Sequence, residues 1–75
     1  MAWIGLKSSV LAAARYDNEH LWLELKFRDG PTYRYLGVPA DLFAELLAAP
    51  SKGAFFAQSI RDRFLFVVPL GEATK

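Results

Sequence analysis

Residues 20–28 read His20-Leu21-Trp22-Leu23-Glu24-Leu25-Lys26-Phe27-Arg28, and every second side chain is apolar. Such strict alternation belongs to a half-buried strand. Leu21, Leu23, Leu25 and Phe27 then face a core, while His20, Trp22, Glu24, Lys26 and Arg28 face water. Asp29-Gly30 signals a tight reversal, after which Tyr33-Arg34-Tyr35-Leu36 returns as a second strand. A two-residue loop would pair Arg28 with Pro31, which has no N–H to give, and would set Arg34 among the leucines. An odd-length loop such as Asp29-Gly30-Pro31 places Tyr33 and Tyr35 beside Phe27, Leu25 and Leu23 and turns Arg34 outward. It buries no unpaired charge and is the expected register.

Working outward, Ser9 to Tyr16 reads as a strand ending in the turn Asp17-Asn18-Glu19, although its alanines also suit a helix. Beyond Val38-Pro39 the period changes. Leu42, Phe43, Leu46 and Leu47 recur at helical spacing, and Pro50 stops that helix. Ser51 is the expected N-cap of a second helix with Phe55, Phe56 and Ile60 on one side. Arg61 and Arg63 close it where cations suit the helix dipole. The tail, residues 64–70, is apolar on all sides, which suits a strand buried on both faces or one at a subunit interface. The expected fold is α+β: a three-stranded antiparallel meander, two short helices and an additional C-terminal strand or interface segment.

A chain of 75 residues is one domain, 1–75, near the lower limit for a self-supporting core. It has no cysteine, so neither a disulfide nor a thiolate metal site can staple it. Its content is 53% hydrophobic and 15% aromatic, which excludes a disordered segment and leaves more apolar surface than so small a core can hide. That surplus points to a homodimer through the apolar C-terminal segment. No stretch approaches a membrane span and no secretory core is present, so a soluble cytoplasmic protein is expected.

Net charge is +1, which by itself gives no argument for nucleic acid. Its distribution says more. Lys26, Arg28 and Arg34 stand against Asp29, and Lys52, Arg61 and Arg63 against Asp62, while acids prevail elsewhere in the first 51 residues. The sequence leaves open whether the two basic segments meet. Catalysis has little to work with: the single histidine, His20, lies at a strand edge, and Ser8 and Ser9 lack a nucleophile-elbow pattern. No ligand cluster suggests a metal, and no Gly-rich loop suggests a nucleotide. The hairpin's outer face is more promising, with Trp22 for stacking and Lys26, Arg28 and Arg34 for phosphates. A charged strand face is also ordinary in a half-solvated sheet. Ser51-Lys52-Gly53 opens a helix and could hold a phosphate, or Ser51 could simply cap it.

Ser8-Ser9, Tyr16-Asp17, Leu25-x-Phe27, Gly30, Tyr33-x-Tyr35, Val38-Pro39, Ser51-x-Gly53, Phe56 and Ile60-Arg61 occur in an order that resembles the KTSC domain. That domain is found at the C-terminus of some lysyl-tRNA synthetases and as stand-alone bacterial proteins. The resemblance spans about residues 8–64, and the apolar extension 64–70 runs past it. It implies a nucleic-acid-related role and marks Tyr33, Tyr35, Ser51, Gly53, Phe56 and Arg61 as characteristic positions. The chain departs from the pattern at Gln58, where asparagine is expected, and at Ala13-Ala14, where an Ile-Gly-like pair is expected. The expected function is a non-enzymatic, cofactor-free accessory or regulatory protein that binds DNA or RNA. Its surface comprises Trp22, Lys26, Arg28, Arg34, Ser51, Lys52, Gly53, Arg61 and Arg63. The alternative is a protein-interaction module using the apolar tail and helix faces.

Overall fold

The alternating stretch forms the middle strand of a sheet whose two faces differ sharply. In the computed structural model, which describes residues 2–69, five antiparallel strands lie side by side in chain order. They are β1 (Ile4–Gly5), β2 (Leu11–Asp17), β3 (Trp22–Phe27), β4 (Thr32–Leu36) and β5 (Phe66–Val67), with helices α1 (Ala40–Ala48) and α2 (Lys52–Ser59) between β4 and β5. The α+β meander with two helices is as expected, and the tail does add a strand, which pairs with β4. One strand more than expected, β1, pairs with β2 at the other edge.

Leu23 and Leu25 are fully buried on the inner face, each stabilising the fold by about 1.5–3 kcal/mol. They join Ala14 and Tyr35 from neighbouring strands and Val38, Leu46, Phe56 and Ile60 from the helical layer. Phe27, Tyr33, Tyr35, Phe56 and Phe66 meet mostly edge to face, with centroids 4.7–6.4 Å apart. Leu21 is a correction to the alternating pattern. It lies just before β3, exposed, with φ 59°, because the chain is still turning there.

β2 carries an irregularity between Leu11 and Ala13, where the pairing jumps from Leu11↔Phe27 to Ala13↔Lys26. The extra residue changes the phase of the strand, so that Leu11 and Ala14, three apart, are both fully buried. This is why the alanine stretch shows no clean alternation. The β3–β4 loop has odd length, as expected, but the register lies two residues from the Asp29-Gly30-Pro31 version: Leu25 pairs with Tyr33 and Glu24 with Arg34. Pro31 contributes only its carbonyl, accepting from the Phe27 N–H, so its missing donor costs nothing. Gly37, at φ 74°, turns the chain out of β4. The Tyr16 hydroxyl donates to the Val38 carbonyl at 2.6 Å, pinning the loop into α1.

Pro50 ends α1 by holding Ala49 extended, and the Ser51 hydroxyl accepts from the Ala54 N–H as the N-cap of α2. Of the two forms expected for the tail, a strand buried on both faces or one at a subunit interface, the first is not what the chain shows. Leu65 is 79% and Phe66 49% exposed, with Val67 and Val68 also exposed, because β5 is an outer strand with β4 on one side only. Leu70, the last residue of the expected apolar segment, lies outside the described residues.

Candidate functional site

The outer face is organised around Glu24, at the centre of β3. Pairing sets Arg15 of β2 on one side of it and Arg34 of β4 on the other. Both arginines donate through Nε, Arg15 to Glu24 Oε1 at 2.5 Å and Arg34 to Glu24 Oε2 at 2.7 Å. The two side chains cover the carboxylate so fully that Glu24 is only 4% exposed, although it points away from the core. Each guanidinium also lies over an indole, Arg15 over Trp3 at 4.4 Å and Arg34 over Trp22 at 4.0 Å, and Lys26 Nζ reaches Trp3 at 4.6 Å. A shallow cavity of about 280 Å³ lies among Arg15, Asp17, Trp22, Glu24 and Arg34.

The edge of this face is held by the turn after β2. Asp17 Oδ1 accepts from the Glu19 and His20 N–H groups, and Asp17 Oδ2 pairs with His20 Nδ1 at 2.9 Å. The His20 hydrogen bond, helped by those backbone donors and opposed by partial desolvation, holds the Asp17 carboxyl below its ordinary range. The exposed His20 ring stacks on Trp22 at 4.3 Å. Asp17, Glu19 and His20 bring ligand-type atoms within 4.8 Å of one another, but Asp17 is occupied by its turn and by His20.

The structure gathers Trp22, Lys26 and Arg34 on this one surface and sends the other expected residues elsewhere. Arg28 turns to the β1–β2 connection, where its guanidinium donates to the Ser8 and Leu6 carbonyls. Lys52 Nζ donates to the Ala49 carbonyl at 2.8 Å and so closes the end of α1. Gly53 sits against Val10: a Cβ there would stand 3.0 Å from Val10 Cγ2, a packing reason for glycine that involves no anion. Arg61 and Arg63 are exposed beside the β5 edge, where Arg61 lies 3.8 Å from Asp62. Since α2 packs on the inner face through Phe56, the two basic segments do not form one surface.

Sequence reasoning missed Trp3, Arg15 and the burial of Glu24. A signal for the last two was present: the turn 17–21 folds β2 back on β3 and brings Arg15 opposite Glu24. Trp3 had none, because β1 is too short to show a period.

The sequence pattern of the KTSC domain matches residues 7–64. The chain belongs to the KTSC family. A solved KTSC domain protein from Yersinia pestis superposes with a TM-score of 0.88 at 35% identity, covering 91% of this chain and 96% of that one. A protein of Tsukamurella paurometabola is 42% identical over 59 residues, 79% of this chain and 88% of its own length. A lysine–tRNA ligase of Nostoc is 37% identical over 60 residues, which are 80% of this chain and only 11% of the ligase. The KTSC fold thus occurs both nearly alone and as a small part of a larger protein. Among the described residues no helix is long and apolar enough to cross a membrane.

Proposed function

We propose that this KTSC domain is a non-enzymatic nucleic-acid-binding accessory module that works through the outer face of its sheet. The observation that carries the reading is the pair of tryptophans set with Arg15, Lys26 and Arg34 around one carboxylate. Planar guanidiniums suit phosphate oxygens, and indoles suit bases. The kinship with a lysine–tRNA ligase, whose name includes a nucleic acid, agrees with it. Three cations make few contacts, so binding is weak and falls with salt at a log–log slope of about −2 on single strands.

NMR titration of labelled protein with short single- and double-stranded oligonucleotides, at low and high salt, tests this. Shifts on residues 22–34 and at Trp3 and Arg15, erased by salt, are the expected result. Arg34→Ala should weaken binding to all sequences alike, as a phosphate contact does; a loss confined to one sequence contradicts it. Absence of shifts at low salt defeats the reading.

A second reading has its own observation. The exposed edge Leu65–Val68 suits a protein partner, a second copy of this chain included.

A further inference from the structure

Glu24 sits where an acid looks out of place, at the centre of the face that offers cations. Stability gives little reason for it. A buried ion pair of this kind roughly breaks even against apolar side chains of similar volume, because desolvation offsets the attraction. What the arrangement does accomplish is geometric. By accepting from the Nε of Arg34 and of Arg15, the carboxylate fixes both guanidinium planes, each already laid over its indole at 4.0 and 4.4 Å. An arginine on a bare sheet surface would have to lose side-chain freedom on binding; this one has lost it in advance.

The surroundings narrow the ligand. Among the described residues both helices lie on the opposite side of the sheet, so no helix stands out from this face to enter a duplex groove. The indoles can stack only on bases that are not already stacked in a duplex. Trp22 already carries one flat heteroaromatic ring, the imidazole of His20, which is 55% exposed, so a base takes that place by displacing the ring from Trp22 and from Asp17.

We propose that Glu24 is a positioning residue that aims Arg34, with Arg15, at the phosphates of a single strand of nucleic acid whose bases stack at Trp22 and Trp3. This rests on the nucleic-acid reading above and adds two commitments, to Glu24 and to the single strand.

The sign of one substitution separates positioning from plain charge. Glu24→Gln removes a negative charge from a basic surface, so charge alone would tighten binding. Positioning demands the reverse, a loss of about tenfold. Arg34→Lys keeps the charge and gives up the planar fork, and should lose affinity similarly. Both variants are measured against a mixed-sequence single-stranded oligonucleotide and its duplex, by indole fluorescence quenching and by NMR. The Arg34 Nε–H resonance should be protected from exchange in the natural protein and lose that protection in Glu24→Gln. Weaker single-strand binding by both variants, with a preference of the natural protein for the single strand over the duplex, supports the proposal. If Glu24→Gln does not fold, Arg34→Lys alone decides: unchanged affinity overturns positioning. Unchanged or tighter binding by a folded Glu24→Gln also overturns it and leaves the nucleic-acid reading standing. Equal affinity for the duplex overturns the single-strand commitment. No binding of either form by the natural protein removes the parent reading and this one with it.

Discussion

Leu21 is the only non-glycine residue with positive φ among those described, at 59°. A β-carbon in that conformation costs about 1–2 kcal/mol, and the exposed leucine side chain recovers little of it. The position is held because its carbonyl accepts from the Val38 N–H at 2.9 Å, tying the β2–β3 turn to the loop before α1. Asparagine tolerates the same backbone and leaves that carbonyl in place. Leu21→Asn should therefore raise the unfolding free energy by about 1 kcal/mol, seen in urea titration as a higher midpoint with the same slope. A lower midpoint would mean that the leucine packs better than its exposure indicates. Glu24 illustrates a different residue-scale point. Its burial depends on partners 9 and 10 positions away along the chain, so the local pattern classed it simply as an outward polar residue.

Among the elements, β3 and its hairpin were readable because alternation and turn chemistry are local, and the same holds for the Ser51 cap and the Pro50 stop. The parity of the loop was also readable, since an even loop would bury Arg34; the absolute register was not, because odd loops two residues apart place the same side chains on the same faces. β1 and the irregularity in β2 were hidden for want of a period. The placement of Arg28 and Lys52 against the carbonyls of Leu6, Ser8 and Ala49 was hidden for another reason: which backbone carbonyls a fold presents to a long cation cannot be seen in composition or spacing. β5 carries a prediction of its own. The side chains of Leu65 and Val68 are exposed, whereas Phe66 meets Tyr33 edge to face at 4.7 Å and supports the core. If the β5 edge is a docking surface for a second copy, Leu65→Lys with Val68→Lys should yield a monomer by light scattering with an almost unchanged melting temperature, while the natural chain runs as a dimer. A natural chain that is monomeric at high concentration would dispose of self-association.

At the scale of the whole molecule, Tyr35 links stability to alkaline pH. It is 2% exposed, and burial pushes its pKa up to about 12, from about 10 in the unfolded chain. Below pH 10 both states keep the proton and its contribution is complete. Between about 10 and 12 the unfolded chain has released the proton while the folded one retains it. Stability then falls by up to about 1.4 kcal/mol per pH unit. Tyr35→Phe should flatten that decline in urea unfolding from pH 9 to 11.5; an equal decline in both proteins would assign it to other groups. The order of the strands has a consequence of another kind. Because β1 and β5 form opposite flanks of the sheet, the chain comes in along one side of the domain and goes out along the other. A larger polypeptide grafted onto one end would sit beside one flank and leave the opposite flank open to solvent. A domain laid out in this way can be joined to a larger chain at either flank without interrupting the order of its strands.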